Sequence, residues 1–131
     1  MTLPRKIGKY EILRQIGEGA TSRVYLAHDP FAGRDVALKQ MHAEMLTDPN
    51  RGQLYRHLLM NEAALVGKLV HPHIAQIYDA SIADNEAFVV MEYVPGGPLD
   101  AFTHVDALLP FERLVEIIFK CTRALDYAFH R

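Results

Sequence analysis

One segment, Pro95-Gly96-Gly97-Pro98, constrains the fold of this chain more than any other feature of its sequence. Two prolines around two glycines interrupt helices and strands alike, because proline lacks an amide donor and glycine adds backbone freedom. Before this break one helix is predicted, together with five strands formed by short apolar or alternating runs, at 10–16, 22–28, 35–41, 74–82 and 87–93. The predicted fold is α+β: a five-stranded antiparallel sheet with one packed helix over residues 1–94, then a hinge and a helix over 95–131.

The first predicted helix carries a carboxylate on its apolar side. A cap at 47–48 and Pro49 in the first turn would open it, and apolar residues recur at helical spacing as far as residue 70. Glu62 lies four residues after Leu58 and four before Val66, which places it on the inward stripe. A carboxylate in that position needs a cationic partner, because burying it alone is costly.

The second predicted helix begins at Pro110 and has a broad apolar stripe. Its members recur at helical spacing and are Leu114, Ile117, Ile118, Cys121, Leu125 and Ala128. Five or six such side chains left in water would be a large unmet driving force, since each contributes roughly 1.5–3 kcal/mol when buried. We therefore expect the chain to form a homodimer through this helix, and we expect Cys121 to be buried and inert.

Composition and charge exclude several classes of protein. The net charge is −2 with both signs interspersed, so no basic surface for nucleic acid is expected. The single cysteine cannot form an internal disulfide, and no run reaches the roughly 18 apolar residues of a membrane span. The start lacks the apolar core of a signal peptide, and we expect a cytoplasmic protein. The seven histidines show no HExxH pattern, so no metal site is expected.

A short glycine turn, Gly17-Glu18-Gly19, joins the first two predicted strands. Glycine lets backbone amides approach a phosphate closely and permits positive φ, but the motif alone is weak. A strand follows the turn, so a dinucleotide-binding fingerprint is excluded, and no G-x-x-x-x-G-K-[ST] motif is present. Other residues at fixed distances make the motif more informative. Lys39 closes a Val-Ala-Leu-Lys strand 22 residues after Gly17, and Glu62 follows 23 residues later.

Four motifs in order resemble those of protein kinases. The run 16–25 resembles their glycine-rich loop, and Val36-Ala37-Leu38-Lys39 resembles their V-A-I-K strand. Asn61-Glu62-Ala63, before the turn at 71–74, is similar to the central helix, and 90–97 is similar to the hinge strand. The turn at 29–34 and the strand at 77–79 resemble the bacterial, eukaryotic-like Ser/Thr branch.

The resemblance implies an ATP-binding lobe with assigned roles. The glycines would lie over the ATP phosphates, and Lys39 would hold the α- and β-phosphates while Glu62 orients it. Apolar side chains would line the adenine pocket, and backbone groups near the hinge would bond the base. The implied nucleotide-binding residues are Ile16, Gly17, Glu18, Gly19, Ala20, Val24, Ala37, Lys39, Met91, Glu92 and Val94. One departure is Ser22, which stands where the loop has its third glycine.

The catalytic motifs of protein kinases are absent from these 131 residues. The sequence contains no H-R-D-x-x-x-x-N, D-F-G or A-P-E motif, so the catalytic Asp and the Mg²⁺ ligands lie outside it. We expect a parent Ser/Thr kinase that phosphorylates protein substrates, and we expect the 131 residues alone to be inactive. The alternatives are a pseudokinase that serves as a scaffold, against which Lys39 and Glu62 argue, and a small-molecule kinase.

Overall fold

The computed structural model describes residues 3–83 and 85–131 and is built on one antiparallel sheet. The sheet has six strands in the order β1-β2-β3-β4-β6-β5. Their bounds are β1 Lys6–Ile7, β2 Tyr10–Glu18, β3 Ser22–Asp29, β4 Arg34–Met41, β5 Ile77–Ile82 and β6 Ala87–Glu92. The α+β class is confirmed, but the predicted count of five strands is wrong, because β1 is a two-residue strand that pairs with β2 and is too short to show a period.

The sheet curls around a first hydrophobic core. Alternate residues of five strands form this core, which consists of Ile7, Tyr10, Tyr25, Ala27, Val36, Leu38, Phe88 and Val90. The Tyr10 hydroxyl donates a hydrogen bond to Asp79 Oδ2 at 2.9 Å. This bond joins β2 to β5, although β3, β4 and β6 lie between them in the sheet. The two ends of the sheet are therefore brought together by its twist.

A second core lies on the opposite face, under helix α2, which runs Gly52–Gly67. The short helix α1, Ala43–Leu46, precedes it. The predicted start near Pro49 is wrong, because Asp48 Oδ1 accepts the backbone amides of Asn50 and Arg51 and so closes a turn before α2. At Gly52 a Cβ would collide with the Leu46 carbonyl oxygen, so only glycine fits this close approach.

Glu62 does not lie on the buried stripe of α2, contrary to the prediction. Leu59 and Ala63 form the buried line of the helix, whereas Leu58 is 54% exposed. Successive helical residues are about 100° apart, so Glu62 stands beside Ala63 at the edge of the packed face. Leu58, Glu62 and Val66 do share one row of the helix, but the neighbouring row of Leu59 and Ala63 packs on the sheet.

A histidine side chain stabilises the turn after α2. His71 Nδ1 accepts the backbone amide of His73 at 3.1 Å, and the Ile74 amide donates to the His71 carbonyl at 3.1 Å. Because Ile74 belongs to this turn, β5 begins at Ile77 and not at the predicted residue 74.

The predicted hinge follows β6 and leads to helix α3, Phe111–Phe129, after two short 3₁₀ segments, Leu99–Phe102 and Val105–Ala107. Gly96 has a φ of 105°, which other residues rarely adopt, and this explains the sharp break. Near the end of α3 the Tyr127 hydroxyl accepts the Val70 amide at 3.0 Å, which attaches the helix to the turn after α2.

Most of the apolar stripe of α3 is uncovered. Leu114, Ile118 and Leu125 are 42%, 56% and 71% exposed, and Ala124 is buried. The prediction that Cys121 is buried is wrong, since its side chain is exposed on the same helix. Across residues 3–83 and 85–131, none of the helices is both long and apolar enough to span a membrane.

Candidate functional site

The glycine turn, residues 17–22, joins β2 to β3 at one end of the sheet. Gly17 pairs with Val24 and Glu18 with Arg23, and the Gly19 amide donates to the Ser22 carbonyl at 2.8 Å. The positive φ that glycine permits is not used at Gly17 or Gly19. A Cβ at Gly17 would make ordinary contact with Val24, so packing within the chain does not require glycine here. Gly19 and Ala20 are exposed, although the Gly19 amide is already used in its hydrogen bond to Ser22.

Ser22, which replaces the third glycine, is the first residue of β3. It is buried and pairs with Met41 of β4. A strand conformation is open to serine, so Ser22 is accommodated here without strain.

Lys39 and Glu62 come together, although the sequence separates them by 23 residues. Lys39 lies in β4 between Val24 of β3 and Val89 of β6. Its Nζ donates to Glu62 Oε1 at 3.5 Å, and the two side chains are 29% and 58% exposed. An ion pair of this exposure contributes at most about 1 kcal/mol to folding, so its importance lies in where it holds the lysine amine.

Ala37 and Met91 continue the face that carries Lys39. Ala37 is two residues before Lys39 on β4 and pairs with Met91 of β6. Side chains alternate along a strand, so Ala37, Lys39 and Val24 share one face, while Val36 and Leu38 fill the first core on the other. Ala37 is buried and Met91 is half-buried. The predicted adenine-pocket residues therefore lie beside the predicted phosphate-binding residues.

Ile16 and Val94 lie at the open margins of this face. Ile16 occupies the irregularity in the β2–β3 pairing between Gln15 and Gly17, and it is 37% exposed. Val94 follows β6 and is 63% exposed. The Glu92 amide donates to the Gln76 carbonyl at 2.7 Å, so a ligand would have to use other backbone groups of residues 92–94.

Two side chains, Arg23 and His42, bind residues of the glycine turn, and the sequence analysis assigned a role to neither. Arg23 Nε donates to Glu18 Oε1 at 3.1 Å, and this hydrogen bond raises the pKa of Arg23. His42 follows β4; its amide donates to the Thr21 carbonyl at 2.9 Å, and its Nε2 lies 3.1 Å from the Gly19 carbonyl oxygen. A histidine three residues after Lys39 fits no sequence pattern, so only the fold reveals this contact.

Two large concavities lie away from the Lys39 face. One, of about 750 Å³, lies between α1, α2 and β5, and another, of about 760 Å³, lies between His71 and the end of α3. Within the part of the chain that the structure describes, no three His, Cys, Asp or Glu side chains are grouped as metal ligands would be. The chemistry available on the Lys39 face is thus one paired cation beside a bare, exposed backbone turn.

Comparisons with known proteins place this geometry in a family. The model of the protein kinase domain matches residues 10–131. The serine/threonine-protein kinase PknB of Mycobacterium leprae is 34% identical over 131 residues, which cover 97% of this chain and 20% of that protein. The probable serine/threonine-protein kinase SCO3848 of Streptomyces coelicolor is 36% identical over 136 residues, which cover all of this chain and 20% of that protein.

A solved structure gives the same result in three dimensions. The kinase domain of Mycobacterium tuberculosis PknI superposes with a TM-score of 0.74 at 29% identity, covering 99% of this chain and 52% of that one. The chain spans about a fifth of the length of the curated relatives that it matches. Sequence motifs, fold and family model agree, and the chain belongs to the protein kinase domain family.

Proposed function

We propose that this chain is the ATP-binding part of a Ser/Thr protein kinase. The observation that carries the proposal is the Lys39–Glu62 pair, 3.5 Å apart, on the face of the sheet that ends at the glycine turn. The Ser/Thr class is supported by the relatives that bear that name. Transfer of phosphate to protein hydroxyls is proposed for the whole protein, since these 131 residues contain none of the catalytic-loop motifs.

The proposed roles follow from position on that face. The bare backbone of Gly17, Gly19 and Ala20 lies over the phosphates, and Lys39 binds the α- and β-phosphates. Glu62 holds the amine without removing it from solvent, so the lysine remains available to a ligand. Val24, Ala37 and Met91, with Ile16 at the margin, contact the base. Mg²⁺ bound with the nucleotide neutralises phosphate charge, and its protein ligands belong to motifs that this sequence lacks.

Partial burial strengthens the proposed contact. Lys39 is about one-third exposed, so its charge is screened less than that of a fully solvated lysine. Hydrogen bonds between a cation and a phosphate are about twice as strong as neutral ones. Lys39 should therefore contribute strongly to binding a polyphosphate and very little to binding a nucleoside.

Titration of backbone amides by NMR tests the proposal. Wild type, Lys39→Met and the exposed control Lys68→Met are each titrated with ATP and with adenosine. We expect ATP to shift the amide resonances of residues 17–24, and we expect Lys39→Met to lower the affinity for ATP about tenfold or more. Adenosine binding should stay within about twofold, and Lys68→Met should resemble wild type. Absence of ATP binding, or equal weakening of both ligands by Lys39→Met, would favour a scaffold module instead.

We further infer that the 131-residue chain by itself forms a homodimer through α3. The observation behind this proposal is the uncovered row Leu114, Ile118 and Leu125. Exposed apolar patches on this scale usually find a partner, and a second copy offers the same complementary row.

A further inference from the structure

His42 contacts the glycine turn twice, from outside the β2–β3 hairpin. Its backbone amide donates to the Thr21 carbonyl at 2.9 Å, which extends the pairing of β4 with β3 by one residue beyond Ser22 and Met41. Its ring reaches further, with Nε2 3.1 Å from the carbonyl oxygen of Gly19. One residue therefore touches both ends of the exposed stretch 19–21.

The chemistry of this contact fixes the proton on the ring. A carbonyl oxygen only accepts hydrogen bonds, so Nε2 must carry the hydrogen. Both the Nε2–H tautomer and the doubly protonated ring meet that requirement. The Gly19 peptide is thereby engaged on both sides, because its amide donates to the Ser22 carbonyl while its carbonyl accepts from His42.

We propose that His42 is a positioning residue, which holds the glycine turn in the shape that receives the phosphates. This inference rests on the proposed ATP-binding function. His42 itself touches neither phosphate nor base in this assignment; it acts through the Gly19 peptide.

The physical reason is the cost of ordering the turn. Gly19, Ala20 and Thr21 are exposed, and in this stretch no buried side chain anchors the backbone. The Glu18–Arg23 pair fixes the base of the turn on the β2 side, and His42 fixes its tip from β4. A turn held in place before the ligand arrives spares the complex the entropy of fastening it. Without the ring contact, the freed Gly19 carbonyl can bond water, so the fold itself should change little.

Two substitutions separate this role from general stability. His42→Leu keeps the side-chain volume and removes the donor, whereas His42→Gln retains an N–H at nearly the distance of Nε2. His104→Leu, at an exposed histidine between the two 3₁₀ segments, repeats the first substitution away from the turn.

Titration with ATP and adenosine gives the functional readout, and amide hydrogen exchange of residues 19–22 gives one that needs no ligand. For His42→Leu we expect affinity for ATP to fall about threefold to tenfold, with adenosine within about twofold. Exchange at 19–22 should accelerate in the same variant. His42→Gln and His104→Leu should match wild type in both measurements.

Several results would overturn the inference. These are unchanged ATP affinity in His42→Leu, a parallel fall for adenosine, or failure of His42→Gln to restore binding. If wild type binds no ATP, the proposed function fails, and the exchange measurement still decides whether His42 holds the turn; equal exchange in wild type and His42→Leu would reject that role.

Discussion

The hydrogen bond that closes the curled sheet makes a quantitative prediction. Tyr10 is only 3% exposed, and its hydroxyl donates to Asp79 Oδ2 at 2.9 Å. Tyr10→Phe removes the hydroxyl but keeps the ring and its edge contact with Phe88, whose ring centroid is 6.1 Å away. The carboxylate of Asp79 is exposed and can be rehydrated, so the loss should lie near the ordinary value for a hydrogen bond. We expect the free energy of unfolding to fall by about 1–2 kcal/mol at pH 7.

The same contact predicts a dependence on alkaline pH. Burial raises the pKa of Tyr10, and the hydrogen bond and charge of Asp79 raise it further. The folded state therefore keeps the phenol proton after the unfolded chain has begun to lose it, near pH 10. Above that pH the unfolded state binds fewer protons, so stability falls by up to about 1.4 kcal/mol per pH unit. Tyr10→Phe lacks this loss, so the difference in stability between wild type and Tyr10→Phe should shrink by roughly 1 kcal/mol between pH 8 and pH 11.

Urea denaturation of both proteins at pH 7, 8, 9, 10 and 11 measures the two effects. Subtracting the curves cancels the titration of the other tyrosines. Tyr93→Phe, at a half-buried residue just after β6, is the matched control and should cost less at pH 7. A constant difference between wild type and Tyr10→Phe across this range would refute the reasoning.

Three further predictions concern the site and the surface. Glu62→Gln should lower the free energy of unfolding by less than about 1 kcal/mol, yet it should lower the affinity for ATP more than that for adenosine in the NMR titration. An equal fall in affinity for both ligands would contradict the role of the pair. Backbone hydrogen bonds from Ala32 and Phe31 lower the pKa of Asp29. The stabilisation that these hydrogen bonds bring is present above the unfolded pKa near 4 and is lost as pH falls. Asp29→Ala should therefore be less stable than wild type at pH 7, and it should lose less stability than wild type on acidification. Thermal unfolding at several pH values measures both effects. Ile117→Glu with Leu125→Glu should convert the proposed dimer to a monomer in light scattering, whereas wild type found monomeric at micromolar concentration would end that proposal.

The sequence predicted those parts of the fold that repeat along the chain. Short apolar or alternating runs located five of the six strands, and Gly96 and its neighbours located the hinge. β1 was missed because two residues cannot show a period. The start of α2 was misplaced because the Asp48 side chain closes a turn before the helix and because Gly52 lies close to the Leu46 carbonyl.

The candidate site was predicted unevenly for a related reason. Lys39 and Glu62 sit in motifs that can be recognised in the sequence, and the structure places them 3.5 Å apart. The inward orientation of Glu62 was wrong, since a stripe with apolar residues on both sides of it does not show which row packs on the sheet. His42 was missed because its contact with Gly19 joins residues 23 apart and involves a backbone carbonyl, which carries no sequence signal.

The placement of the two cores has a consequence for synthesis on the ribosome. Both draw on described residues between Ile7 and Met91, and neither includes a residue of α3. Domains tend to fold as units while the chain is still being made, beginning from the amino terminus. The sheet and α2 can thus reach their packed state once β6 has emerged from the ribosome, before α3 has emerged. Helix α3 would then emerge last, with its apolar residues uncovered, from a chain whose sheet and α2 are already folded. The length of the stretch 93–110 sets the delay between the two events, and chaperones have access to α3 when it emerges.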